Sequence, residues 1–291
     1  LGQGAYLSRI MASFFSRLLP KSLRSDAPVI PVVRLSGAIG IGTPLRPALT
    51  LQGVNEPLER AFRRKGIAAV ALIVNSPGGS AAQSSLIAAR IRRLAEQHKV
   101  KTYAFVEDVA ASGGYWLSLA ADEIYADRSS IVGSIGVMAA SFGFVEAMKK
   151  LGVERRVYTA GKNKLMLDPF QPEKREDVDR LLQLQTDVHD VFKQAVRDSR
   201  GSRLKETDEI FSGAFWSGQR ALDLGLIDGL GEMHGVLKQK HGDKTRFIEV
   251  HRPGGWLHRR LGGFSALSGA AAAATLVDEM EVRALWSRFG L

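Results

Sequence analysis

Hydrophobic and polar residues along this chain alternate with two different periods. Residues 69–74 are an unbroken apolar run, as a strand buried on both faces requires, and residues 101–106 are a second strand-like run. Between them, residues 80–97 carry the helical amphipathic period, and residues 112–121 read as helical again. Residues 153–158 predict a further strand. This alternation, from Val29 to about Gly161, predicts an α/β fold of parallel strands joined by right-handed crossovers. Beyond it the pattern turns helical. Residues 172–199 are charged and periodic, with Val178, Leu181, Leu182, Leu184, Val188, Val191 and Phe192 on one face, suited to the sheet or to a neighbouring subunit. A short helix capped by Ser217 is expected over 217–224, then a glycine turn at 225–229 and a last strand over 245–250.

The two ends differ from this middle. Leu7, Ile10, Met11, Phe14, Phe15, Leu18 and Leu19 keep helical spacing, with Arg9, Arg17, Lys21 and Arg24 adding positive charge. This is an amphipathic basic segment, read either as an in-plane helix on anionic lipid or as a helix packing on the core or on another subunit. Near the other end, a Gly, Arg and Trp stretch at 254–263 and an alanine-rich tract at 268–276 precede an amphipathic tail with Met280, Leu285, Trp286 and Phe289. The expected division is a basic N-terminal segment over 1–27, one α/β domain over 28–250, and a linker and tail over 251–291.

Composition narrows the function classes. The chain has 291 residues, 45% of them hydrophobic, a formal charge of +10 and no cysteine, which removes disulfides and thiol chemistry. No apolar run approaches the ~18 residues of a spanning helix. The positive charge suits a membrane surface better than nucleic acid, because the basic residues are dispersed and concentrated mainly at the ends, with no nucleic-acid module. No metal is expected, since HExxH and clustered His or carboxylate ligands are absent from the sequence, and no cofactor is expected either. Gly161-Lys162 lacks the rest of a phosphate loop, which sets nucleotide binding aside.

Candidate chemistry lies where strands give way to helices. Ser112 stands at such a junction, followed by Gly113 and Gly114, so its hydroxyl faces free N–H groups and the positive end of a helix dipole. That is a nucleophile with an oxyanion donor, Gly113 N–H, or else an ordinary helix N-cap. The turn Asn75-Ser-Pro-Gly-Gly79 closes a second strand-turn-helix unit, which either offers a second donor or is a plain βα turn. His98, His189, His234, His241, His251 and His258 are scattered and read as solvated surface residues. The base is therefore sought among the lysines of the turn after residue 158, Lys162 and Lys164. A lysine base near neutral pH needs a depression of about three units, roughly 4 kcal/mol, and Leu165, Met166 and Leu167 are candidates for a dry wall beside Lys164.

Five motifs occur in order: Asn75-Ser-Pro-Gly-Gly79, Ala111-Ser-Gly-Gly-Tyr115, Val132-Gly-Ser-Ile-Gly-Val137, Gly161-Lys-Asn-Lys164 and Ala221-Leu-Asp-Leu-Gly-Leu-Ile-Asp-Gly229. Together they resemble the SppA/SohB signal peptide peptidase family over about residues 29–240, nearer the SohB side through Leu167-Asp-Pro-Phe170 and the single catalytic unit. The resemblance implies a ClpP/crotonase-like fold of repeated β-β-α and βαβ units, with a parallel sheet and a helical C-terminal region. It also implies a Ser-Lys dyad of Ser112 as nucleophile and Lys164 as general base, 52 residues apart. Ser134 would orient the lysine, while Gly79 and Gly113, with Gly78 a lesser candidate, would donate to the oxyanion. It further implies a homo-oligomeric ring or dome in which neighbouring protomers can complete one site, and a membrane-associated endopeptidase acting on signal-peptide remnants or other hydrophobic segments. The cytoplasmic membrane face is expected over the periplasmic one. A crotonase-type acyl-CoA enzyme and a catalytically idle membrane scaffold stand as alternatives.

Overall fold

A computed structural model describes residues 27–42, 47–251, 279–280 and 282–291. Eight strands form its central sheet: β1 (Val29–Ser36), β2 (Val70–Ser76), β3 (Thr102–Ala111), β4 (Glu123–Ala126), β5 (Ile131–Gly133), β6 (Phe215–Ser217), β7 (Gly229–Leu230) and β8 (Arg246–Glu249). The helices are α1 (Leu51–Phe62), α2 (Ala81–His98), α3 (Gly113–Ser118), α4 (Val145–Leu151), α5 (Arg175–Arg200), α6 (Gly218–Asp223) and α7 (Met233–His241). The sheet order is β6-β5-β3-β2-β1-β8, with β4 pairing both β3 and β7. Every pairing is parallel except β5 with β6. This is the mostly parallel α/β architecture that the alternating pattern predicts.

The apolar run ending in β2 is buried on both faces, which explains its lack of alternation. Val70, Leu72 and Val74 pack into the main core with Leu58 and Phe62 of α1 and Ile87 and Ile91 of α2. Ala71 and Ile73 face the opposite cluster with Tyr103, Phe105 and Leu237. The amphipathic α2 begins where Ser80 accepts a hydrogen bond from Gln83 N–H at 3.3 Å, and it ends at Lys99 in the left-handed region.

β3 extends five residues beyond the predicted 101–106, after an exposed acidic pair, Glu107 and Asp108. Its register with β2 shifts there: Val74 lies opposite Val106, but Ser76 lies opposite Ala110. Glu107 pairs with Arg34 at 2.6 Å and Asp108 accepts from Asn75 Nδ2 at 2.7 Å, so the irregularity is held by side chains. β3 thus pairs with β4 through residues 103–106 and with β5 through residues 109–111.

Three expectations are corrected. Residues 153–158 join no ladder, and Val153, Val157 and Tyr158 are exposed, because no strand edge among the described residues reaches them. The helix after Ser112 is shorter than 112–121, ending at Ser118. On α5, only Phe192 of the predicted apolar face is buried, whereas Leu182, Leu184 and Val191 are exposed. The expected helix over 217–224 is present as α6, capped by Ser217, and the expected last strand as β8. The basic segment at 7–24 and the stretch at 254–276 lie outside the described residues. The tail does return to the sheet: Val282 and Phe289 are buried, with Phe289 packed on Val109 and Ala111.

Candidate active site

Ser112 joins β3 to α3 with φ 52° and ψ −121°, a conformation that costs a non-glycine residue about 1–3 kcal/mol. Backbone bonds hold it there: Ser112 N–H donates to Gly133 O at 2.8 Å, and Ser112 O accepts from Trp116 N–H at 3.0 Å. Its side chain makes no capping bond to α3, so the hydroxyl is not spent as an N-cap. At the first position of α3, the Gly113 N–H has no intrahelical acceptor.

The turn after β2 lies against this junction. A Cβ added at Gly78, where φ is 102°, would stand 2.8 Å from Ser112 Cβ and 3.0 Å from Gly113 N. Only glycine lets the two turns approach so closely. The bonds that fix this turn run from Gly78 N–H to Ser76 Oγ (3.2 Å), from Ile39 N–H to Gly78 O (2.8 Å) and from Ser80 N–H to Ile39 O (2.8 Å). None of them uses the Gly79 N–H.

Ser134 follows β5 with φ 53° and is buried; its N–H donates to Ala214 O at 2.7 Å. The next residue contributes Ile135 O, which lies 3.1 Å from His189 Nε2 on α5. The reading of every histidine as solvated is therefore corrected at His189, at His98, whose Nε2 is buried, and at His241, which packs edge-on against Tyr103. Ser112, Gly113, Gly79 and Ser134 all line one cavity of about 590 Å³, whose apolar wall includes Trp116 and Phe192, stacked at 4.5 Å.

Lys164 is placed elsewhere. It lies on a run of turns at 161–167, exposed, and is not among the residues of that cavity; Lys162 is exposed there too. Leu165, Met166 and Leu167 are only half-buried, so a single chain surrounds Lys164 with water. The structure thus brings together Ser112, Ser134, Gly78, Gly79 and Gly113, and leaves Lys164 apart.

A buried ion pair braces α3 from behind. Arg200 donates to both carboxylate oxygens of Asp228 at 2.9 Å and to Gly225 O at 2.8 Å, while Tyr115 OH donates to Leu226 O at 2.7 Å. Burial alone would raise the Asp228 carboxyl; the hydrogen bonds and charge of Arg200, the Ile124 N–H and the charge of Arg203 outweigh it and hold it below the usual range. Burial pushes the Tyr115 phenol well above its ordinary value, so it stays a neutral donor. Sequence reasoning missed this brace, though Asp228 stands in a quoted motif. It also missed two cavity residues in the tail, Leu285 and Arg288, which follow a long intervening stretch.

Comparison with known proteins adds a family. The model of peptidase family S49 matches residues 94–245. The chain is 51% identical over 290 residues to the Na(+)/H(+) antiporter NhaA of Brucella abortus (strain 2308), covering 97% of this chain and 39% of that protein. It is 29% identical over 271 residues to the chloroplastic serine protease SPPA of Arabidopsis thaliana, covering 87% of this chain and 39% of that one. It is 31% identical over 175 residues to the probable protease SohB of Haemophilus influenzae, with 60% and 49% covered. The chain thus spans only 39% of the length of the antiporter it matches, and among the described residues no helix is long and apolar enough to cross a membrane.

Proposed function

Because the chain belongs to peptidase family S49, we propose that it is a membrane-associated serine endopeptidase with Ser112 as nucleophile and Lys164 as general base. The observation that carries this reading is the Ser112 hydroxyl, free of any capping bond, on a strained junction that faces a cavity between two glycine turns. A structural serine has no need of such a position.

The base comes from a second copy of the chain. Lys164 belongs to an arm, residues 138–174, along which Met138, Phe142, Leu151, Val153, Tyr158 and Phe170 are exposed and α4 buries nothing. Docking that arm on a neighbour covers this apolar surface, gives residues 153–158 a strand edge to pair with, and removes Lys164 from water. Desolvation then lowers the lysine towards the neutral amine that a base requires.

Catalysis follows from these placements. Ser112 Oγ attacks the peptide carbonyl as the Lys164 amine takes its proton, and the carbonyl oxygen becomes an oxyanion held by the Gly113 and Gly79 N–H groups. Collapse breaks the C–N bond, and the lysine ammonium returns the proton to the leaving amine. Water, deprotonated by the same amine, attacks the acyl-serine and releases the acid. Ser134, on the same cavity wall, orients the lysine. Peptides in extended, apolar segments suit a site walled by Trp116 and Phe192. The basic amphipathic sequence at 7–24 would hold the enzyme on an anionic membrane surface, with the cytoplasmic face favoured.

The experiment is hydrolysis of fluorogenic apolar peptides by wild type, Ser112→Ala, Lys164→Ala and a co-assembled mixture of the two variants. Each variant alone should be inactive. The mixture should recover about a quarter of wild-type turnover, since a neighbour supplies the missing group at that share of randomly assembled sites. Activity surviving in Lys164→Ala would refute the base assignment, and no recovery in the mixture would refute completion between copies.

A further inference from the structure

Of the described side chains that line the Ser112 cavity, Arg288 alone carries a charge. We propose that the C-terminal tail forms a wall of the substrate cavity and that Arg288 on it selects peptides carrying a carboxylate. The inference rests on the peptidase reading of that cavity.

Packing sets the position of the tail. Residues 282–287 are helical. Phe289 is buried against Val109 and Ala111, the strand residues just before Ser112, and its ring meets Phe215 edge-on at 5.1 Å. Val282 is 2% exposed, and Leu285 joins the cavity wall. Arg288, between these anchors, therefore reaches the cavity because its neighbours are packed.

Its guanidinium meets no anionic partner among the described residues. Among the described residues Arg288 pairs with no carboxylate; it donates to Met138 Sδ at 3.4 Å and lies 5.8 Å from the Phe289 ring centroid. A thioether is a weak acceptor. Some arginines on this chain are matched to acids, as Arg200 and Arg203 are to Asp228 and Arg197 is to Glu206; what sets Arg288 apart from other unpaired arginines is its place on the cavity wall. An unmatched planar fork beside an apolar cavity is suited to take a carboxylate in a bidentate pair. The carboxylate has two sources in a peptide, an acidic side chain or the free C-terminus.

The test separates the sources and does not require turnover. Three fluorescent peptides of equal length are titrated against full-length Ser112→Ala by anisotropy: a neutral amidated peptide, the same peptide with one Gln→Glu change, and the neutral peptide with a free C-terminus. At least one acidic peptide should bind about five-fold more tightly than the neutral one, an advantage of the size expected for a partly exposed charged hydrogen bond and reduced by salt. Whichever acidic peptide gains names the source. The advantage should vanish in Ser112→Ala with Arg288→Gln and persist in part with Arg288→Lys. Equal binding of all three peptides, no measurable binding of the acidic ones, or an advantage unchanged by Arg288→Gln overturns the proposal. Wild-type turnover of the neutral peptide is scored separately, so that a failed peptidase reading and a failed Arg288 assignment are told apart.

Discussion

Ser112 gives its backbone N–H to Gly133 O at 2.8 Å, and both residues stand in the positive-φ region, at 52° and 118°. The conformation of the serine thus depends on a carbonyl that only a glycine presents at that angle. A Cβ on Gly133 would also lie 2.7 Å from the Trp216 ring. Gly133→Ala should lower kcat by at least about ten-fold with little change in KM, through a small shift of the attacking oxygen. Steady-state kinetics on one fluorogenic peptide would check this; a matching rise in KM would show instead that the cavity had been reshaped.

The contact between the two turns gives a second expectation. Gly78→Ala places a methyl 2.8 Å from Ser112 Cβ and 2.9 Å from Ala111 O, at a φ of 102° that alanine resists. Turnover should fall by about a hundred-fold or more, while the thermal midpoint drops by only a few degrees. Active-site labelling with a serine-directed phosphonate should slow in parallel, since it needs the same approach.

Asp228 supports the packing behind the helix that follows Ser112 through Arg200, whose side chain is 1% exposed. Asp228→Asn leaves that guanidinium buried without its counter-charge and should destabilise the fold by about 3 kcal/mol. For a chain of 291 residues the thermal midpoint falls by roughly 5 °C. Calorimetry of the variant would measure it, and a shift under about 2 °C would mean that water replaces the carboxylate.

Acid stability has a separate origin. Burial works against the charged form of Glu123, but Lys101 at 2.5 Å, the Tyr125 hydroxyl and Lys240 at 2.9 Å prevail and hold its carboxyl at about 2. A depressed carboxyl stabilises the fold above its unfolded value near 4.3, and the contribution is lost as pH falls towards 2. Glu123→Gln should therefore cost about 1–2 kcal/mol at pH 7 after allowance for solvent screening, and less as pH falls towards 2. Denaturant melts across that range would show the two proteins converging.

Some of this molecule is legible in its sequence, for identifiable reasons. The apolar run before Asn75 and the helix after Ser80 follow from burial on two faces and on one, which local pattern records. The serine and the glycines of the two turns were legible because strained or crowded backbone leaves a signature in residue type. The extension of β3 was hidden, since Glu107 and Asp108 interrupt its apolar pattern while serving Arg34 and Asn75. Residues 153–158 alternate like a strand, yet a strand also needs an edge, and pattern says nothing of where that edge is. The place of Lys164 was beyond reach for the same reason. Arg288 went unremarked in a tail read only as amphipathic; that it borders the Ser112 cavity depends on Phe289 finding Val109 and Ala111, which no local spacing encodes.

The register shift between β2 and β3 sets the phase of the site. Ser76 lies opposite Ala110, so Gly78 and Ser112, each two positions further along, arrive side by side. Without the two additional residues in β3 the serine would lag behind the glycine turn, and loss of only one would send its hydroxyl to the opposite face of the sheet. Glu107 and Asp108 are not among the residues that line the cavity, yet they act as the spacer that brings two strand ends to one point. Their number sets the alignment and their bonds to Arg34 and Asn75 hold it: exchange for other polar residues would keep the count but loosen the hold, whereas a single deletion would dismantle the alignment.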